Sequence, residues 1–302
     1  MHLLRSLLFT PGNNERMVAK AASRGADVVV LDLEDAVPMS EKVTARSLVE
    51  AWLAQGSPQR GPVYVRVNAL ATGLAFDDLE GVVQPGLGGI MLPKVDSETS
   101  LIRISDRITE LERERGIGSG RVCLIPLLET AEGILNARQI AIASRRVVAL
   151  AFGALDLSRD LGATLSTAGT EVLHARSHVV LVAAAAKVQA IDSPWIDIED
   201  SGGLVRDAQR SQQMGYRGKL VIHPGQIEPV NTVFSPSKDE VSRARRVVEA
   251  FGLAERNGQG AISLDGVMID AANARQAADV IARAEAIARR SGGEAAASRE
   301  SE

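Results

Sequence analysis

Two acids, Glu129 and Asp156, are placed to do chemistry: each closes a short apolar run, 122–128 and 147–155. Runs of this length, separated by a helical pattern, predict neighbouring buried parallel strands. Adjacent strands lie about 5 Å apart, so carboxylates at the same ends of two of them can share one hard cation. Oxygen-only ligation with few protein ligands suits Mg2+, which keeps several waters and uses substrate oxygens. The competing reading is a pair of structural carboxylates in salt bridges, because a buried carboxylate is costly unless paired or metal-bound.

A third run, 63–68, carries Arg66 and Asn68 in alternation with Val65 and Val67. Same-side residues of a barrel strand point into the lumen or the mouth. An arginine there needs an anion, and its planar fork suits a carboxylate or a thioester enolate oxygen. Its alternative is internal pairing with Asp32, Glu34 or Asp35. Those three acids, Asp32, Glu34 and Asp35, end another run, where they are expected to orient water at the metal, Arg66 or Lys42.

Other signals are weaker. Residues 10–16, with Pro11, Asn13 and Arg16, form a strand-to-helix turn whose backbone N–H groups can hold phosphate, although an ordinary turn has the same pattern. Lys94 ends a strand as a phosphate contact or a structural cation. His223 closes the last run, either titrating near neutrality or satisfied structurally. His174 and His178 stand four apart with no third ligand nearby, the pattern of a solvated helix face. Asp270 is an acid in an apolar stretch, unusual unless it docks onto a site.

Eight strand-like runs alternate with amphipathic stretches, at 5–10, 27–34, 63–68, 89–95, 122–129, 147–156, 191–197 and 219–223. Such alternation implies α/β architecture with parallel strands and crossover helices. Eight units in roughly 225 residues match a (β/α)8 TIM barrel, with its site at the C-terminal strand ends. An open doubly wound sheet is the alternative. Residues 1–234 are thus the barrel. Residues 235–290 are a C-terminal helical extension, with a turn or short hairpin at 258–264, that covers this barrel's mouth or a neighbour's. Residues 291–302 read as a disordered tail.

Bulk properties fit this picture. The 302 residues are 45% hydrophobic but only 3% aromatic, so the core is built from Val, Ile, Leu and Ala. A net charge of −4, spread along the chain, argues against a nucleic-acid partner. Basic Arg5, Arg16, Lys20 and Arg24 can still serve a small anion. The single cysteine, Cys123, excludes an intrachain disulfide and reads as a buried inert thiol. No run approaches the ~20 apolar residues of a membrane span and no secretory signal is evident, so a soluble cytoplasmic protein is expected.

With these residues in place, the chain resembles the citrate lyase β-subunit-like proteins, the CoA-ester lyases that include malyl-CoA and citramalyl-CoA lyases. The resemblance runs through LLFTPGNNERM (7–17), VVLDLEDAV (29–37), YVRVN (64–68), MLPKV (91–95), LLETAEGILNA (127–137), FGALDL (152–157), GKLVIHPGQI (218–227) and GVMIDAA (266–272). It implies a TIM barrel, often trimeric, with Mg2+ on Glu129 and Asp156. It implies that Arg66, with Asn68 and Glu129, binds the substrate. Pro11, Asn13, Arg16, Lys20 and Lys94 fall where the CoA contacts are expected. Asp270 would enter a neighbour's site as acid/base. The implied reaction cleaves a 3-hydroxyacyl-CoA thioester, such as citryl-, citramalyl- or malyl-CoA, into an oxo acid and acetyl-CoA. An acyl-carrier partner stays open. The rivals are a pyruvate- or phosphoenolpyruvate-type class II aldolase and a non-catalytic barrel subunit. Two positions depart from the family's habit: Ala271-Ala272 stands where Met-Pro often follows the aspartate, and Leu155 stands where an acid often precedes Asp156.

Overall fold

The structure is a computed structural model that describes residues 2–56 and 61–299, with side chains as far as Arg290. Leu4–Phe234 is one compact unit; the described residues from Ser235 onward, with the first few of the chain, form a second.

In the first unit eight strands close a parallel barrel. They are β1 (Ser6–Pro11), β2 (Val28–Asp32), β3 (Val63–Arg66), β4 (Leu87–Leu92), β5 (Cys123–Leu128), β6 (Ala149–Phe152), β7 (Gln189–Asp192) and β8 (Gly218–Val221). β1 pairs with both β2 and β8, which completes the ring. The expected barrel is therefore the observed fold.

Alternation along each strand sorts the side chains. Leu7, Val28, Val30, Tyr64, Met91, Ile125, Leu127, Ala151, Ile191 and Leu220 fill the interior. A separate and larger apolar layer, with Leu31, Val65, Ile90, Leu128, Phe152 and Val221, joins the barrel wall to the helices. Continuing the interior set by two residues brings Asp32, Arg66 and Glu129 to the C-terminal mouth. Cys123 lies on the interior wall but is half-buried rather than fully buried; burial raises its thiol pKa.

Charge is buried on the outer wall as well. Lys219 is wholly buried and its Nζ lies 2.6 Å from both Asp192 Oδ2 and Asp207 Oδ2. Arg176 reaches the same two acids at 2.6 and 2.9 Å. Burial alone would raise the Asp192 pKa, but Lys219 and Arg176 hold it at about 2.

The second unit begins with the helix Lys238–Arg256, started by a capping box between Ser237 and Glu240. An antiparallel hairpin follows, β9 (Ala261–Leu264) against β10 (Val267–Asp270). Its two-residue turn, Asp265-Gly266, has φ of +52° and +77°, the Asp-Gly pattern that matches strand twist. The hairpin lies a few residues later than expected because that dipeptide, not Gly258, makes the turn. Ala244, Val247, Phe251, Ile269 and Ala277 form the unit's own core. The last helix runs Ala271–Arg299. The tail expected from 291 thus falls partly on helical backbone whose side chains lie outside the described residues, and partly, at 300–302, outside them altogether. Among the described residues no helix is long and apolar enough to cross a membrane.

Candidate active site

The site is built where strand register brings side chains level. Asp32 and Arg66 are direct partners across β2 and β3. Arg66 donates from Nε to Asp32 Oδ1 at 2.7 Å and from Nη2 to Asp32 Oδ2 at 2.6 Å, a bidentate clamp. Its Nη1 lies 3.0 Å from Glu34 Oε2 and 3.5 Å from Asp35 Oδ2. The Glu34 contact is an ion pair without hydrogen-bond alignment, so that buried oxygen has no hydrogen-bond partner. The guanidinium also sits over the Phe9 ring, 4.6 Å from its centroid. Burial works against the Arg66 charge, yet Asp32, Glu34 and Asp35 together raise its pKa. The second hydrogen of Nη2 has no partner among the described residues, and Arg66 lines the mouth cavity. Lys42 holds the acid loop in shape, its Nζ donating 2.7 Å bonds to the Leu33 and Glu34 carbonyls.

Across the mouth stands Glu129. Leu128 and Phe152 are partners across β5 and β6, so the next residues, Glu129 and Gly153, are level. Glu129 is only 3% exposed. Burial, then Glu34 and Asp156, push its carboxyl up to about 8. Its Oε1 accepts one bond, from Lys94 N at 2.9 Å. Lys94 adopts φ of +50°, uncommon for a residue with a side chain, and this turn brings its N–H to Glu129. The Lys94 amino group forms ion pairs with Glu34 and, at 3.6 Å, with Asp35.

Asp156 does not end a strand as expected. β6 stops at Phe152, and Asp156 lies in the first turn of the helix Ala154–Asp160. Its Oδ1 accepts a 3.1 Å bond from exposed Arg159. The expected meeting nevertheless occurs: Glu129, Asp156, Arg66, Asp32, Asp35 and Pro11 line one cavity of about 400 Å3. Among the described residues there is no cluster of three or more His, Cys, Asp or Glu side chains suited to a metal. Two oxygen donors remain. Glu129 Oε2 receives no hydrogen bond among the described residues, and burial disfavours the carboxyl as an anion until a positive charge arrives. That donor set fits a hard divalent cation that brings its own waters.

Asn68 does not line this cavity. β3 ends at Arg66, so strand alternation fails two residues later. The Asn68 backbone and side-chain N–H groups donate to Asp78 Oδ2 at 2.8 and 2.6 Å. It anchors the loop to Asp78. Arg16 and Lys20 come together with Arg24 around a neighbouring cavity of about 220 Å3, which shares Phe9 and Ile222 with the first. Asn13 is set apart, its amide donating to exposed Glu41, and Lys94 sits in the acidic cluster rather than with Arg16 and Lys20. His223 accepts a 3.1 Å bond from Gly225 N and caps the turn Pro224–Gln226, a structural role. His174 and His178 stack on a helix face. Asp270, in the second unit, accepts bonds from Ala272 N at 2.9 Å and Asn273 N at 3.0 Å on Oδ1, capping the last helix.

Asp32 holds Arg66 as one of the three acids named for that pairing, and it does so because it ends β2 on the interior face, two residues past Val30. Sequence reading missed that Lys42 would bind backbone carbonyls rather than carboxylates, and it missed Gly153.

Known proteins extend the comparison. Citrate lyase subunit beta from Haemophilus influenzae is 37% identical over 284 residues, covering 94% of this chain and 98% of that protein. Human mitochondrial citramalyl-CoA lyase is 34% identical, covering 94% and 86%. The crystal structure of CitE from Mycobacterium tuberculosis in complex with magnesium, acetoacetate and coenzyme A superposes with a TM-score of 0.73 at 32% identity, over 93% of this chain and 98% of that one. The HpcH/HpaI aldolase/citrate lyase family model matches residues 5–224, the whole run of strands and both acidic corners of the mouth. By that match, and by its likeness to these relatives along nearly its full length, the chain belongs to the HpcH/HpaI aldolase/citrate lyase family.

Proposed function

We propose that the protein is a Mg2+-dependent carbon–carbon lyase that cleaves a 3-hydroxyacyl-CoA thioester into an oxo acid and an acyl-CoA. One observation carries this reading: a single cavity sets the Glu129–Asp156 pair against Arg66, and its neighbour is ringed by Arg16, Lys20 and Arg24. The three cations suit the phosphates of a nucleotide thioester, and the shared wall lets the acyl end reach the carboxylates.

Glu129 and Asp156 would hold magnesium. When bound, the ion would supply positive charge beside the substrate's hydroxyl and carboxylate oxygens and make the hydroxyl more acidic. The hydroxyl gives its proton to solvent water as its oxygen becomes the carbonyl of the departing oxo acid. The adjacent carbon–carbon bond breaks, and its electron pair passes to the thioester as an enolate. Arg66 meets that developing negative charge with its unpartnered N–H, while Asp32 and Phe9 keep the guanidinium from turning. Lys94 N fixes the Glu129 carboxylate through Oε1, leaving Oε2 for the metal.

Asp270 is the acid that protonates the enolate carbon, or the base in the reverse condensation, within the site of a neighbouring subunit. A homo-oligomer, expected to be a trimer, is part of the same proposal. The support is the position of Asp270 at a hairpin end, where only Oδ1 serves the helix cap and Oδ2 receives no bond among the described residues.

The experiment is oxo-acid release from citryl-, citramalyl- and malyl-CoA, with magnesium and with EDTA. Magnesium-dependent release from at least one thioester is expected. No release from any, with cleavage of CoA-free aldol substrates instead, would replace this reading by an aldolase. Inertness towards both would favour a non-catalytic barrel.

A further inference from the structure

A third cavity, of about 230 Å3, opens beside the carboxylates. We propose that it receives the alkyl chain of a monocarboxylic 2-oxo acid longer than pyruvate. This deepens the lyase reading and rests on it, by naming the class of oxo acid that the cleavage releases.

The chamber is an extension of the mouth cavity, since Ala154, Leu165, Ser193, Pro194 and Ile196 line both. Its place in the barrel decides which fragment enters it. The Arg16–Lys20–Arg24 cavity adjoins β1 and β8, through Leu8, Thr10 and Ile222. The chamber lies at the ends of β6 and β7, where Phe152 is the last residue of one strand and Ser193 follows the other. The two cavities share no lining residue, whereas Ala154 of the chamber is two residues from Asp156 in the same first helical turn. In the lyase reading the half whose hydroxyl and carboxylate oxygens sit at Glu129 and Asp156 is the oxo-acid half, so that half is the one beside the chamber.

The walls select against charge. Phe152, Leu165, Val172, Pro194, Trp195 and Ile196 make most of the lining apolar. Arg176 is the one cation among the lining residues, and it is committed to Asp192, Asp207 and Ser211. Asp197 and Asp200 add negative charge. A second carboxylate, as in oxaloacetate, would meet these acids without a cation to pair with. An alkyl chain loses nothing there and gains apolar contact.

Trp195 supplies a direct readout, because the chain has one other tryptophan, Trp52. In the Trp52→Phe variant with magnesium present, Trp195 fluorescence is titrated with pyruvate, 2-oxopentanoate and oxaloacetate. 2-Oxopentanoate is expected to bind tighter than pyruvate by roughly tenfold or more, the usual discrimination for added methylenes in an apolar pocket; oxaloacetate is expected to bind more weakly than pyruvate. Thr167→Phe, at an exposed position that lines only the chamber, should collapse the 2-oxopentanoate-to-pyruvate ratio towards one. Equal binding of 2-oxopentanoate and pyruvate, tight oxaloacetate binding, a ratio untouched by Thr167→Phe, or no response to any oxo acid would each overturn the proposal. The same protein is assayed for thioester cleavage. Chain-length preference without cleavage would remove the lyase reading and leave the chamber standing; cleavage without the preference would do the reverse.

Discussion

Gly153 is glycine because of Glu129. A Cβ on Gly153 would lie 2.6 Å from both Glu129 Cβ and Glu129 Oε2, nearer than atoms can pack. The backbone at Gly153 is ordinary, with φ of −113°, so the requirement is one of space rather than conformation. Gly153→Ala should push the carboxylate from its place opposite Asp156. Magnesium affinity, measured by calorimetry, is expected to fall roughly 10- to 100-fold, as when the support of a metal ligand is lost, while the thermal unfolding profile stays cooperative.

Arg66 is a fork, not a point charge, because Asp32 grips it through two nitrogens and Phe9 lies beneath it. Arg66→Lys keeps the charge and loses both features. A fall in kcat of about 10² to 10³ is expected, the usual loss for one aimed donor at a developing oxyanion, with magnesium affinity unchanged. Equal kcat for the two proteins would show that charge alone suffices.

The raised Glu129 pKa makes a stability prediction whose sign is opposite to that of most carboxylates. The folded state binds a proton that the unfolded chain has lost, between the ordinary value of 4.5 and about 8. Stability from protonated Glu129 is complete below 4.5 and is lost as pH rises through about 8. Without metal, Glu129→Gln should therefore be more stable than wild type at pH 8 and similar to it near pH 4.5, by urea titration. Magnesium should stabilise the wild type at pH 8 and leave the variant unmoved.

Lys219 is buried between Asp192 and Asp207 on the outer face of the barrel wall. Lys219→Ala leaves buried carboxylates short of a cation and should cost about 3–5 kcal/mol in urea unfolding. In wild type the depressed Asp192 pKa contributes stability that is present above its ordinary 3.8 and lost as pH falls through about 2. Asp192→Asn should flatten that part of the acid-unfolding curve.

Asp270 allows function and structure to be separated. Its Oδ1 caps the last helix, and asparagine is as good a cap as aspartate. Asp270→Asn should keep stability and magnesium binding but reduce thioester turnover by at least about 10², in the range of a lost general acid. Unchanged turnover would remove its acid/base role.

Much of the site could be read from the chain because its signals are local. Apolar runs of strand length, alternating with amphipathic stretches, predicted eight strands, and Glu129 and Arg66 lie at the C-terminal ends of theirs. The helix starting at Ala154 was illegible, since the run 147–155 stays apolar through the turn at Gly153 and hides the change of element. Asn68 misled for a similar reason: alternation continues in the letters after the strand has ended.

The order of residues by itself determined which segments become strands, which faces are apolar and that two acids close β5 and follow β6. Only barrel closure decided what those acids and the other charges meet. Lys219 faces Asp192 and Asp207, Arg66 faces Asp32, and Glu129 presses on Gly153 because register across separate strands sets those distances. Hydrophobic periodicity is written within a few residues of chain; the partner of a buried charge is set by packing between segments far apart in it, and no local pattern encodes that.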